Sequence, residues 1–135
     1  MQGDEGRIGK KYYEMRKTAI IGASMNKSRY AYTAASMLLA YGHPIVPLGI
    51  KAGSIQDVPI LDLRGKPEIE ALDTVTLYIG PRHQPAWYEY IISLKPKRVI
   101  FNPGTENPEF AKMLEKDGIE ATEACTLVLL RTGQF

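Results

Sequence analysis

The sequence predicts an α/β protein, with a mainly parallel sheet of five to six strands between two layers of helices. Three observations predict it. Short runs of apolar and β-branched residues alternate with stretches of helical periodicity along the chain. The first such run is apolar on both faces, as a strand is when helices cover the sheet from both sides. Glycines fall where the helical stretches should end, and an Asn-Pro pair falls where one should begin.

The first strand covers 18–21, Thr-Ala-Ile-Ile. A helix follows over 28–41, with Tyr30, Ala34, Met37, Leu38 and Tyr41 as its apolar stripe and Gly42 as its stop. The second strand covers 44–48, with Pro44 at the first position, where a missing N–H is tolerated. Residues 51–57 form a loop or a single turn, 60–63 a short third strand and 67–72 a short helix. The fourth strand, 74–79, is rich in β-branched and aromatic residues. The helix over 85–94 sets Trp87, Ile91 and Leu94 on one face, and the fifth strand covers 98–101. Asn107-Pro108 opens the next helix, Asn as cap and Pro at the first helical position, and Gly118 ends it. A last short strand covers 119–122. Residues 124–131 are apolar almost all round and read as a buried helix, ended by Gly133. Right-handed crossovers then give a Rossmann-like three-layer fold, with strand order 3-2-1-4-5 and the last short strand as a sixth.

The 135 residues suit one domain, expected to run over 15–135. Residues 1–14 are Gly-rich and charged, with no period; they read as a tail, a misassigned upstream start or a short arm. Hydrophobic residues make up 44% and charged residues 24%, as in a soluble globular protein. A net charge of +2 argues for neither a nucleic-acid nor a membrane partner. The single cysteine, Cys125, has no disulfide partner, and with two histidines it cannot complete a zinc site. No segment has the apolar length of a transmembrane helix, and the N-terminus lacks the apolar core of a signal peptide. These features fit a cytoplasmic protein.

In such a sheet a ligand binds beyond the carboxyl ends of the strands, at the switch point between the first and fourth. Four loops are selected: Gly22-Ala23-Ser24-Met25-Asn26-Lys27-Ser28-Arg29, Pro47-Leu48-Gly49-Ile50-Lys51, Gly80-Pro81-Arg82-His83-Gln84 and Asn102-Pro103-Gly104-Thr105. In the first, Gly22 would let backbone approach an anion, Ser24 supplies a hydroxyl, and the next helix begins with amides aimed at it. Arg29 could pair with a phosphate. On the other reading, Gly22 serves packing, and Ser24 or Ser28 only caps the helix. The nicotinamide fingerprint G-x-G-x-x-G is missing, and the second strand ends without the acid that holds an adenosine ribose diol. Lys51 stands near that place and suits a ribose that carries a phosphate. Two ligands stay open at this point, NADP and coenzyme A.

His83 has no catalytic partner in sequence and reads as a rim residue; His43 sits in a turn. Cys125 reads as a thiol packed in the last helix. Trp87, Tyr88 and Tyr90 read as core or interface residues, and exposure of Trp87 and Tyr88 would suit a homodimer or another protein partner.

The stretch Ile20-Ile21-Gly22-Ala23-Ser24, then Ser28-Arg29-Tyr30, then Gly42-His43-Pro44-Ile45-Val46-Pro47-Leu48, resembles the standalone CoA-binding domain family. These Rossmann-like proteins are similar to the N-terminal domain of the α-subunit of succinyl-CoA synthetase and of NDP-forming acyl-CoA synthetases. The resemblance runs from about Arg16 to Phe135. It implies a coenzyme A site at Gly22, Ala23, Ser24, Arg29, Pro47, Lys51, Gly80 and Pro81, with the pantetheine arm passing Asn102, Pro103, Gly104 and Thr105. The sequence departs from the family pattern at Gly49-Ile50, where Asn-Pro is frequent, and at 78–82, where Val-Phe-Arg is frequent. Relatives with ligase activity carry phosphohistidine chemistry in a further domain. The resemblance therefore implies a CoA or acyl-CoA binding protein with no ligase chemistry of its own. A small NADP-dependent oxidoreductase and an interaction module that has lost its ligand are the alternatives.

Overall fold

A computed structural model describes residues 15–135. The expectation for residues 1–14 lies outside the described residues. In chain order the elements are β1 (Thr18–Ile21), α1 (Tyr30–Ala40), β2 (Ile45–Gly49), β3 (Ser54–Ile55), β4 (Val58–Pro59), β5 (Leu61–Asp62), β6 (Thr74–Leu77), α2 (Tyr88–Ser93), β7 (Arg98–Phe101), α3 (Pro108–Lys116), β8 (Glu120–Glu123) and α4 (Thr126–Arg131). One six-stranded sheet runs β5-β2-β1-β6-β7-β8, and every pairing in it is parallel. Counting only its own strands, this is the expected Rossmann-like order with the sixth strand at the edge. Thr18 of β1 lies between Ile45 and Thr74, and Ile21 between Leu48 and Leu77.

Alternation of side chains splits the core in two. Ala19, Ile21, Val75, Leu77, Val99 and Phe101 pack on one face against Ile91 of α2 and Phe110 and Leu114 of α3. On the other face Ile20 and Ile45 meet Ala31, Ala35 and Leu38 of α1, with Leu130 of α4. The alanines let α1 lie close to the sheet.

Several expectations are corrected. The α1 stripe is Ala31, Ala34, Ala35 and Leu38; Tyr30 is 75% exposed and Tyr41 is exposed too. Residues 51–57 include half of an antiparallel hairpin, β3 with β4, turning at Gln56 in left-handed backbone. The third sheet strand is only Leu61–Asp62, followed by a 3-10 turn over Leu63–Gly65. Residues 67–72 are not helical. They follow left-handed Lys66 and include left-handed Ala71, with Leu72 in the core and Ile69 packed against it. The helix expected over 85–94 begins as a 3-10 turn, Pro85–Trp87, before α2.

Tyr88 is buried and stacks on Phe110 at 4.3 Å, so it offers no exposed aromatic surface to a partner. Cys125 is half-buried and precedes α4 as its cap residue, and Val128 faces outward, so this helix is not buried all round. Among the described residues, no helix is long and apolar enough to cross a membrane.

Candidate functional site

The loop after β1 is built by close approaches of backbone. Gly22 has φ +97°, and a Cβ there would lie 2.9 Å from Ile79 Cγ2 and 3.1 Å from the Tyr78 carbonyl. Its N–H and that of Ala23 both donate to the Leu48 carbonyl, at 2.9 Å. A Cβ on Gly49 would fall 2.5 Å from the Ala23 carbonyl oxygen. Glycines thus draw the ends of β1, β2 and β6 together. The packing role weighed for Gly22 is present, whatever else the loop does.

Beyond Ala23 the loop holds itself. Ser24 Oγ accepts from the Asn26 N–H at 3.0 Å. Asn26 Oδ1 accepts from the N–H of Ser28 at 3.0 Å and from its hydroxyl at 2.7 Å. Neither serine caps α1. The cap position is Arg29, in extended backbone, with no side-chain cap and no acid in the first turn. An 11-residue helix therefore starts at the switch point with no side-chain cap and no acid in its first turn to offset the positive end of its dipole. Arg29 is exposed beside it.

The second loop is shorter than expected because β2 runs to Gly49. Pro47 is buried inside the strand, opposite Ile20, rather than in the loop. Lys51 is exposed and lines a pocket of about 120 Å³ with Gly49, Ile50, Ile60, Asp62 and Arg64. Arg64 was not foreseen from sequence; its only local signal is the Asp62-Leu63-Arg64 spacing after a two-residue strand. The Arg64 Nε donates to Asp62 Oδ1 at 2.9 Å, and Nη2 reaches the Ile50 carbonyl at 3.3 Å. The hydrogen bonds from Arg64 hold the Asp62 carboxyl below the usual carboxylate range.

The loops after β6 and β7 are braced from within. Gly80 precedes a 3-10 turn, Pro81–His83, whose residues are exposed. Gln84, wholly buried, donates from Nε2 to the Ile79 carbonyl at 3.0 Å and to the Thr105 carbonyl at 2.8 Å. Its Oε1 accepts from Asn107 Nδ2, and Asn107 caps α3 by accepting from the Phe110 N–H. Asn102 is 2% exposed. Its Nδ2 donates to Thr76 Oγ1 and the Leu77 carbonyl, and its Oδ1 accepts from the Thr126 N–H that opens α4. The buried Thr105 hydroxyl donates to the Asn102 carbonyl. Asn102 and Thr105 therefore spend their polar groups within the protein, while Pro103 and Gly104 are exposed on the rim. Burial pushes the nearby Tyr78 hydroxyl up to about 12.

The structure thus gathers Gly22, Ala23, Ser24, Arg29, Lys51, Gly80 and Pro81 on loops at the carboxyl ends of the central strands. A hollow of about 650 Å³ between 66–70 and α2 includes none of these residues. Among the described residues no group of three His, Cys, Asp or Glu could hold a metal. Exposed cations, close-packed glycine backbone and an uncapped helix start make this edge suited to an anion.

A parallel sheet in this strand order, with helices on both faces and glycine-built loops at its switch point, defines a Rossmann-like α/β fold. The family described as a CoA binding domain matches residues 16–131, and the chain belongs to it. The solved structure of an uncharacterized protein is similar at 51% identity and TM-score 0.87, covering 90% of this chain and 98% of that one. A conserved hypothetical protein from Pyrococcus furiosus is similar at 25% identity and TM-score 0.74, over 84% of this chain and 98% of its own. The cell-free ID.343 protein from Thermus thermophilus shares the fold, at 18% identity and TM-score 0.76, over 96% of this chain and 98% of its own. No curated protein matches the chain.

Proposed function

We propose that the protein is a cytoplasmic CoA or acyl-CoA binding module without ligase chemistry of its own. The observation that carries this reading is the uncapped start of α1 beside Arg29, reached from the Gly22–Ser24 loop. The diphosphate would lie on that loop and helix start, where backbone amides and the helix dipole favour negative charge. Lys51 would meet phosphate from the second loop. The pantetheine arm would run past Gly80 and Pro81 toward Pro103 and Gly104, with Asn102 and Thr105 shaping the wall beneath. Family membership supports the class of ligand.

Isothermal titration with CoA tests it. Arg29→Ala and Lys51→Ala should each weaken binding by roughly 1–3 kcal/mol, the scale of a hydrogen bond to a charged group. Both side chains are exposed, so neither change should move the melting temperature. Unaltered CoA affinity in both variants removes this site. Binding of NADPH with no response to CoA replaces it with the oxidoreductase reading.

A further inference from the structure

The pocket under the second loop contains a device that the position of Lys51 alone does not explain. A guanidinium has five N–H donors in a rigid fork. In Arg64, Nε is taken by Asp62 Oδ1, and Nη2 faces both Asp62 Oδ2 and the Ile50 carbonyl, each at 3.3 Å. The Arg64 backbone N–H also donates to Asp62 Oδ1, at 3.0 Å. Nη1 has no hydrogen-bond partner among the described residues. The side chain is 65% exposed yet anchored by three hydrogen bonds through two of its nitrogens, one of them to the residue that precedes Lys51. Such pinning removes much of the ordering cost that a free arginine meets on binding.

Asp62 is the acid lining this pocket. It ends the neighbouring strand β5, not the second strand, where the acid of a dinucleotide site holds a ribose diol. Both of its carboxylate oxygens are engaged by Arg64, which leaves it less available to a diol. Two cations, Lys51 and Arg64, then face one acid across about 120 Å³, a space on the order of four water volumes at roughly 30 Å³ each. That is room for a phosphate group.

We infer that Arg64, pinned by Asp62 and the Ile50 carbonyl, presents Nη1 beside Lys51 to a phosphate ester on the ligand's ribose and selects phosphorylated adenosine over the free diol. Asp62 is the positioning residue and Arg64 the specificity-determining one. The inference rests on the CoA reading above and names the part of that ligand the pocket reads.

The test is a ratio. CoA and dephospho-CoA differ by this phosphate alone, and both are titrated against the full chain and its Arg64→Ala, Arg64→Lys and Asp62→Asn variants. The unsubstituted protein should prefer CoA. Arg64→Ala should lose about tenfold toward CoA, the scale of one charge-assisted hydrogen bond, and keep its dephospho-CoA affinity. Arg64→Lys should recover part of the preference, and Asp62→Asn should lose part of it. An Arg64→Ala variant with the original ratio overturns the inference and leaves the CoA reading standing. So does a variant that loses both ligands equally, because a merely structural arginine would act that way. A protein that binds neither ligand overturns the CoA reading itself. If NADPH binds instead, the same ratio taken against NADH decides for Arg64: its collapse in Arg64→Ala supports the assignment, its survival overturns it.

Discussion

At the carboxyl ends of the strands Arg29, Lys51 and Arg82 stand exposed around an uncapped helix start. At the amino ends the cations are tied down. Arg16 Nη1 lies 3.3 Å from Asp73 Oδ1, and the Arg16 N–H donates to His43 Nδ1. Lys17 Nζ donates to the Glu70 carbonyl at 2.7 Å. Arg98 is buried at the start of β7, with Nε donating to Thr74 Oγ1 and its guanidinium 4.3 Å from the Phe135 ring centroid. The Phe135 ring in turn lies against His43. The amino-end cations are paired by the chain's own groups, which closes that edge; at the open carboxyl edge Arg64 is paired with Asp62, while Arg29, Lys51 and Arg82 have no ion pair among the described residues. Parallel sheets place ligands at the carboxyl edge, and the contrast in charge pairing follows that polarity.

The comparison breaks first at Asn102, a polar residue of the open edge that behaves like one of the closed edge. Asn102→Ala should cost about 2–4 kcal/mol, because it strands the buried Thr126 N–H and removes the amide that donates to Thr76 Oγ1 and the Leu77 carbonyl, leaving the hydroxyl pair of Thr76 and Thr126 to join β6 to α4. Urea unfolding measures it. A loss under about 0.5 kcal/mol, as for an ordinary surface change, would return Asn102 to the list of groups a ligand could touch.

This residue also marks how far the sequence could be read. The strands were legible because buried β-branched runs have few other uses, and α3 because Asn107-Pro108 is both a cap and a first-turn signal. The hairpin of β3 and β4 was not, since its Gln56-Asp57 turn lacks the glycine that usually announces a left-handed position. The phase of α1 was misjudged toward its tyrosines, because the alanines beside them carry the contact with the sheet. At the site, the loops carrying Gly22, Arg29 and Lys51 could be selected from topology alone. The inward turn of Asn102 depends on a partner 24 residues away, and the second anchor of Arg64, the Ile50 carbonyl, lies 14 residues away; neither is encoded by a local pattern.

Tyr78 sharpens the comparison at an intermediate scale. Its phenol rises from 10.0 to about 12, chiefly through burial. The folded state then holds this proton more tightly than the unfolded state does. Its contribution is complete below pH 10 and is lost as pH rises toward 12. Two pH units correspond to about 2–3 kcal/mol. Unfolding free energy measured from pH 8 to 12 should fall less steeply in Tyr78→Phe than in the unsubstituted protein. Coincident curves would mean that the open edge hydrates this hydroxyl.

The smallest effect is expected at the closed edge, in Arg98→Met. Removing one partner of a buried ion pair usually leaves the other charge stranded, but Arg98 has no carboxylate in hydrogen-bond contact among the described residues. Burial lowers its pKa, and Nη2 is buried with no partner among those residues. Thr74 Oγ1 keeps its own bond to Asp73 Oδ1 at 2.6 Å when Arg98 is gone. What the guanidinium gives is one hydrogen bond and the contact with Phe135, against the desolvation of a charge. A methionine of similar reach keeps the packing on the ring and removes the desolvation, an exchange that in other proteins is neutral or favourable. Arg98→Met should therefore shift stability by less than about 1 kcal/mol and leave CoA affinity unchanged. A loss above about 3 kcal/mol would show that Nη2 has a partner in the folded protein, and the closed edge would then be held by charge rather than by packing.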